Sequence, residues 1–365
     1  MLKPLSETIQ ELTIYESDSL LSALKKMDDI GKKLLIILSE KQKFSNLISI
    51  GDIQRAIING TDLQEFICNI KIESKLVMSE PVTIKKVQDK ILELRCEYMP
   101  VIDDSNNISN IYFWDDLFTN KKILDNRKIS LPVVIMAGGQ GTRLKPISNV
   151  LPKPLTPIGD STIVEEIMSR FSAFGCSNFY LSVNYKKELI KYYLANNSEF
   201  KDIVYFVEDK PLGTAGSLSL LKGKISQPFF VSNCDILIDQ DLAELYEYHK
   251  NNKNEITMVA ALKHIPISYG TLETKEDGLL ESMKEKPELT FKINAGVYIL
   301  EPHLLEQIPD DTFFHITELI ENVRANGGRV GVYPISEKSW MDIGEWPEYI
   351  KTVRALSNAI NFKGL

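Results

Sequence analysis

The alternation of apolar and polar positions divides the chain into three styles. In the first, up to about residue 125, short apolar runs stand between polar turns. They are Leu34-Leu35-Ile36-Ile37-Leu38 and Phe44-Ser45-Asn46-Leu47-Ile48, then Tyr98-Met99-Pro100-Val101-Ile102 and Ile108-Ser109-Asn110-Ile111-Tyr112. Runs of this length bounded by turn residues predict strands. The first pair ends at Gly51-Asp52 and the second at Asp115-Asp116, so the second repeats the first at an offset of 64 residues. Helices are predicted over 19–29, 52–59 and from Lys86 to Cys96, with Ser17 or Asp18 placed to cap the first. Each half reads helix, strand, turn, strand, helix, and repeats of this kind bury their faces against each other. Residues 120–130 are polar without a period and read as a linker. The expected organisation is a small repeat module over 1–125, a linker over 126–130, a larger domain over 131–355 and a tail over 356–365.

From Leu131 the style changes to strand, helix, strand, helix. Strands are predicted at 133–137, 179–183, 203–207, 229–232 and 256–262, with helices at 161–174, 186–196, 215–222 and 241–251. This alternation predicts an α/β domain with a mixed, mostly parallel sheet flanked by helices on both faces. Beyond residue 262 the elements shorten, with strands at 269–274, 279–284, 293–300, 330–335 and 339–342 and helices at 303–308 and 316–326. That reads as a mixed extension folding over the sheet's rim, closed by a helix over 346–357. Ligands of such sheets bind beyond the carboxyl ends of the strands. Four polar features fall there: a glycine loop after the first strand, Asn184 after the second, Glu208 after the third and Asp235 after the fourth.

The glycine loop carries the clearest chemistry. Val133-Val134-Ile135 leads into Ala137-Gly138-Gly139-Gln140-Gly141-Thr142-Arg143, and Lys153 follows between Pro152 and Pro154. Glycines let the backbone approach a ligand closely. Successive N–H groups in such a loop form a nest for phosphate oxygens, and Arg143 adds a planar donor fork. The loop is neither the Walker type, which ends Gly-Lys-Ser/Thr, nor the dinucleotide type, which opens a helix with a third glycine. Thr142-Arg143 replaces the first pattern, and Pro146 blocks the second.

Composition narrows the function classes. The chain has 365 residues, 44% hydrophobic and 25% charged, with a formal charge of −8 and a sequence pI near 5.3. A net acidic chain is poorly suited to nonspecific nucleic-acid binding. The four cysteines form no C-x-x-C pair, which suits a reducing cytoplasm and excludes a disulfide framework. The N-terminus has no apolar signal core, and no apolar run approaches the roughly 20 residues of a membrane span. Cys234, beside Asp235, reads as a small core residue, and the four histidines have no ligand spacing.

Residues 131 to about 350 resemble the sugar-nucleotide pyrophosphorylases, which join a nucleoside triphosphate to a sugar 1-phosphate. The likeness rests on GGQGTRLKP with PKPL, Asn184-Tyr185, Pro211-Leu212-Gly213-Thr214-Ala215-Gly216 and Asn233-Cys234-Asp235. It continues through Tyr269-Gly270, Glu285-Lys286-Pro287, Asn294-Ala295-Gly296 and Trp340-Met341-Asp342-Ile343-Gly344. Ser148 stands where a Thr is usual, and Asn233 where a Gly is common. The resemblance implies a Rossmann-like nucleotidyltransferase fold of the GT-A type. It implies nucleotide contacts from Ala137, Gly138, Gly139, Gly141, Thr142, Asn184, Glu208 and Gly213, with Arg143 and Lys153 as catalytic residues. Asp235 and Asp342 would hold Mg²⁺, and Gly270, Glu285, Lys286 and Asn294 the sugar. A carboxylate at Glu208 can accept guanine N1–H and its amino group together, whereas uracil and thymine offer one N–H flanked by carbonyl oxygens, which favours GTP, with UTP or CTP as alternatives. A catalytically idle nucleotide sensor is the other class, and the intact Arg143, Lys153, Asp235 and Asp342 argue against it.

The N-terminal repeat resembles a CBS pair, a module that binds adenosine nucleotides. Ser49 and Asp52 match its nucleotide-binding pattern, while Phe113 replaces the hydroxyl in the second half. Asp52 and Asp116 also read as helix caps, and the module equally suits a dimerisation platform for a homo-oligomer. A CBS pair ahead of this domain resembles the glucosamine-1-phosphate guanylyltransferases of legionaminic acid synthesis. Mannose 1-phosphate is the alternative sugar.

Overall fold

A computed structural model describes residues 4–72, 77–94, 96–113, 117, 128–196, 199–200 and 202–361. The chain forms two compact units, Met1–Asp125 and Asn126–Leu365.

The first unit holds two three-stranded sheets built alike. One contains Thr13–Tyr15, Leu34–Leu38 and Phe44–Ser49; the other contains Met78–Ser79, Tyr98–Ile102 and Ile108–Phe113. Their registers repeat at the offset seen in the sequence. Ile14 faces Ile37 in parallel as Met78 faces Val101, and Leu34 faces Ser49 in antiparallel as Tyr98 faces Phe113. The halves share a core in which Leu34, Ile36 and Leu47 pack with Tyr98 and Ile111. Equivalent positions also touch: the Tyr98 hydroxyl donates to the Leu34 carbonyl at 2.8 Å, and the Lys33 N–H to Glu97 at 2.9 Å. The sequence reading lacked the first strand of each half. Both are very short, and a short apolar run carries little periodicity of its own.

The helix expected at 52–59 spans Ile50–Ile58 instead, because Ser49 rather than Asp52 is its N-cap. The Ser49 hydroxyl accepts the Asp52 N–H, and the Asp52 carboxylate accepts the Ser49 N–H at 2.7 Å, a reciprocal capping box. Asp115, Asp116 and most of the linker lie outside the described residues.

The second unit is organised on a seven-stranded sheet. Its order is Val204–Val207, Phe179–Val183, Val133–Met136, Phe229–Asn233, Glu288–Leu300, Ile256–Pro266 and Val330–Ser336. The first four strands run parallel, Glu288–Leu300 is antiparallel to both neighbours, and Val330–Ser336 is parallel to Ile256–Pro266. This corrects the expected overlay after residue 262. Ala295, Val297, Tyr298, Ile299 and Leu300 are all buried, so this run forms a central strand apolar on both faces. Among the described residues of this unit, three short pairs stand outside the sheet: the hairpin Thr271–Thr274 with Leu280–Lys284, Ile236–Ile238 with Trp340–Asp342, and Pro157–Ile158 with Ser161–Thr162.

The helix expected at 215–222 is a single turn, Gly213–Gly216, followed by a 3₁₀ segment, Ser217–Leu221. The C-terminal helix runs from Trp346 to Asn361, past its expected end. Among the described residues, no helix is long and apolar enough to cross a membrane.

Candidate active site

The glycine loop leaves the sheet at Met136. The N–H groups of Gly138, Gly139, Gln140 and Gly141 meet no acceptor among the described residues. A Cβ on Gly139 would enter open space, so the loop's outer face is clear. Gly141 is in the left-handed region at φ 64°, and a Cβ there would lie 2.9 Å from the Lys153 Cβ. The loop is therefore pressed onto the base of Lys153 while its N–H groups stay without an acceptor among the described residues. Thr142 opens a 3₁₀ turn, and Arg143 extends from it, exposed, to Glu345 at 3.0 Å.

Lys153 is itself buried, held in a 3₁₀ turn behind Pro152. Its Nζ forms an ion pair with the Asp235 carboxylate, also buried. The pairing of Ile236 with Asp342 brings the second carboxylate to the same place, and the Ile343 N–H donates to the Asp235 carbonyl at 2.8 Å. Gly344 completes the arrangement. A Cβ on it would sit 2.8 Å from Asp235 Oδ2, 2.8 Å from Asp342 Oδ1 and 3.5 Å from Lys153 Nζ. Two carboxylate oxygens and an ammonium thus converge on one small space that only glycine leaves open.

The electrostatics suit a cation there. Burial raises the Asp342 carboxyl above the usual range; the Gly344 N–H opposes this and the Asp235 charge adds to it. A divalent ion between the carboxylates would relieve that push. Among the described residues, no group of three or more His, Cys, Asp or Glu could hold a metal. Two carboxylates with phosphate oxygens and water are how Mg²⁺ is commonly held. The residues therefore fit that ion.

Cys234 is buried as expected, and burial pushes its thiol up to about 12, which opposes a thiolate there. Ser148 lies against Gly141; its hydroxyl is buried without a hydrogen-bond partner among the described residues.

Glu208 is buried rather than open to solvent. It sits beneath Gly138, whose Cβ would fall 2.8 Å from Glu208 Oε1. The Ser182 hydroxyl donates to Oε1, the Leu212 N–H to Oε2 at 3.3 Å, and Asn184 Nδ2 to the Glu208 carbonyl at 2.7 Å. Asn184 thus serves the Glu208 backbone.

Gly213, at φ 81°, packs against the backbone of Phe314: a Cβ would lie 2.6 Å from that carbonyl oxygen. Its glycine is required by chain packing.

The four expected sugar residues fall into two groups. Gly270 and Glu285 stand together, with Glu285 Oε2 only 3.1 Å from where a Gly270 Cβ would be; Lys286 follows at φ 44°. Asn294 is exposed at a bend in its strand, donating to the Tyr298 hydroxyl at 2.7 Å and accepting the Gly296 N–H at 3.0 Å. Gly296 abuts Asn233, and the Trp340 indole N–H donates to the Ala295 carbonyl at 3.2 Å, which joins this bend to the carboxylate strands.

Sequence reasoning missed the C-terminal strap. Beyond Gly344, Glu345 meets Arg143, the Trp346 indole N–H donates to the Lys145 carbonyl at 2.7 Å, and the Tyr349 hydroxyl to the Pro157 carbonyl at 2.8 Å. It also missed Lys186, whose ammonium holds the carbonyls of Asn149 and Val150 at 2.5 and 2.8 Å. Neither has a sequence signal, because each is a contact between a common side chain and a distant carbonyl.

Comparison with known proteins places this geometry. Residues 132–359 match the family model described as Nucleotidyl transferase. A probable mannose-1-phosphate guanylyltransferase 3 of Oryza sativa subsp. japonica is 31% identical over 236 residues, 61% of this chain and 64% of that protein. A mannose-1-phosphate guanyltransferase of Yarrowia lipolytica is 34% identical over 226 residues, 60% of this chain and 61% of that protein. The chain thus spans less than two thirds of the length of either relative. The crystal structure of HddC from Yersinia pseudotuberculosis is 26% identical with a TM-score of 0.49, covering 62% of this chain and 99% of that one. With the glycine loop, the Lys153 turn and both carboxylates inside the matched span, the chain belongs to the nucleotidyl transferase family.

Proposed function

We propose that this protein is a sugar-1-phosphate guanylyltransferase, forming a GDP-sugar and pyrophosphate from GTP and a sugar 1-phosphate. The observation that carries this is the convergence of Lys153, Asp235, Asp342 and Gly344 beside a glycine loop whose N–H groups have no acceptor among the described residues. A phosphate oxygen of the sugar 1-phosphate attacks the α-phosphorus, the bond to the bridging oxygen breaks, and pyrophosphate departs. Such transfers need positioning and charge stabilisation, with no covalent nucleophile. The loop N–H groups and Arg143 hold the β- and γ-phosphates. Arg143 reaches them by exchanging its exposed partner Glu345 for phosphate. Lys153 neutralises charge at the α-phosphate and the attacking phosphate. Asp235 and Asp342 would hold Mg²⁺, which supplies a Lewis acid for the phosphate oxygens.

The guanine preference draws support from the relatives' names and from Glu208. Gly270, Glu285, Lys286 and Asn294 are proposed for the sugar. The relatives' names favour mannose 1-phosphate; the doubled N-terminal unit favours glucosamine 1-phosphate through its resemblance to the CBS-linked enzymes. We assign that unit an adenosine-nucleotide site at Ser49 and Asp52, in a cytoplasmic homo-oligomer.

The test is pyrophosphate release from GTP, UTP, CTP and ATP, each with glucosamine 1-phosphate and mannose 1-phosphate in Mg²⁺. Turnover is expected with GTP and abolished by EDTA. No turnover with any pair overturns the enzyme assignment, and turnover with UTP alone overturns the guanine assignment.

A further inference from the structure

The Glu208 carboxylate is buried and held by a donor on each oxygen. Ser182 lies on Phe179–Val183, the strand next to the sheet's edge, and is fully buried. Its hydroxyl donates to Glu208 Oε1, while the Leu212 N–H donates to Oε2 at 3.3 Å. Both the Glu208 N–H, to the Val183 carbonyl at 3.1 Å, and its carbonyl, from Asn184 at 2.7 Å, are fixed as well. The backbone of Ser182 meanwhile holds the root of the phosphate loop, accepting the Ala137 N–H at 3.0 Å. Each carboxylate oxygen has two acceptor sites, so one donor apiece leaves one apiece unused. Oε1 lies beside Gly138, the first glycine of the phosphate loop: a Cβ there would be 2.8 Å from Glu208 Oε1 and 3.4 Å from Ser182 Oγ.

We infer that Ser182 is a specificity-determining positioning residue: its hydroxyl locks the Glu208 carboxylate so that the free acceptor sites meet the paired N–H donors of guanine. This rests on the guanylyltransferase reading above. A carboxylate free to rotate presents its acceptors to any base edge; one fixed in plane by two donors offers a pair spaced for N1–H and the exocyclic amino group. Preorganisation of this kind lowers the cost of binding the right partner. Inosine triphosphate has the N1–H without the amino group, so it isolates the second contact.

The experiment measures kcat/KM for GTP, ITP and UTP in the wild type, Ser182→Ala, Ser182→Cys and Glu208→Gln, with thermal unfolding as a check on folding. The wild type is expected to prefer GTP over ITP. Ser182→Ala should cut that ratio about tenfold, in line with loss of a hydrogen bond to a charged group. The change should fall mainly on the KM for GTP. Ser182→Cys, a weaker donor of similar shape, should fall between. If Ser182→Ala does not fold, the Cys variant gives the reading on Ser182, and Glu208→Gln shows whether the carboxylate sets the ratio at all. A wild type that favours GTP while every Ser182 variant keeps its GTP-to-ITP ratio overturns the role of Ser182 and leaves the guanylyl assignment standing. A wild type that takes UTP as well as GTP overturns the guanine reading itself.

Discussion

Gly344 shows what one residue does at this site. It lies two residues after Asp342, carries no functional group, and stands where a side chain would fill the space between both carboxylates and Lys153. Gly344→Ala is expected to leave the fold intact and to reduce turnover sharply by crowding the cation out; a rise in the Mg²⁺ concentration needed for half-maximal rate is the measurement. Asp235→Asn removes a carboxylate and the partner of Lys153 together, and turnover should fall at least about 100-fold, as when a charge-stabilising group is lost. Unchanged pyrophosphate release with a cooperative unfolding curve would refute its role. The sequence made Arg143, Lys153, Asp235 and Asp342 visible because each lies in a compact motif. It could not show that Gly344 keeps the space open, or that Glu208 is buried under Gly138, since both follow from chain segments far apart in sequence.

At the scale of elements, the Pro211–Gly216 turn depends on a second segment that has no motif. The Leu212 carbonyl accepts the Phe314 N–H at 2.9 Å, and the Phe314 carbonyl accepts Ala215 and Gly216 N–H, each at 3.0 Å. Gly216 is helical, yet a Cβ on it would lie 2.5 Å from the Thr312 carbonyl oxygen. Gly216→Ala should therefore destabilise by about 1–3 kcal/mol through overpacking, although alanine suits a helix better. Urea unfolding of the two forms gives the answer, and an equal or higher midpoint for alanine would refute the packing argument.

The strand pair Ile256–Pro266 and Glu288–Leu300 is a second such case. Buried Thr257 accepts or donates at 2.8 Å to His249, which also reaches Glu301 at 3.3 Å. Burial lowers the His249 pKa, outweighing the Glu301 contact. The unfolded chain then binds the proton first, so stability is full above the ordinary histidine range and falls as pH drops through it, by at most about 1.4 kcal/mol per pH unit. His249→Gln should flatten that dependence between pH 7 and 5. The pattern revealed this strand pair's apolar residues but not that Glu288–Leu300 joins the central sheet. Short alternating runs look alike at an edge and in a core, and only the partners decide.

At the scale of the whole molecule, the two units follow different design rules. The second builds one asymmetric site from segments across its length. The first repeats one device twice, with equivalent strands in equivalent registers and a shared core. The repeat itself was legible because a 64-residue offset survives in the spacing of apolar runs. Its ligand was not, because the residue pointing to one, Asp52, also has a structural task. Its carboxylate accepts Ser49 N–H and O–H at 2.7 Å each and Arg55 at 2.5 Å. Removing the side chain would thus cost about 1 kcal/mol of capping whether or not a nucleotide binds. Asp52→Asn is the cleaner variant, since an amide keeps an acceptor for the Ser49 N–H but loses the charge and one acceptor oxygen. Titration with AMP, ADP and ATP by calorimetry should show binding to the wild type and about tenfold weaker binding to Asp52→Asn, the loss expected for a hydrogen bond between a charged acceptor and a ribose hydroxyl. Matching Tm values for the two proteins without nucleotide would show that the cap survived. Equal affinities would then confine Asp52 to its helix.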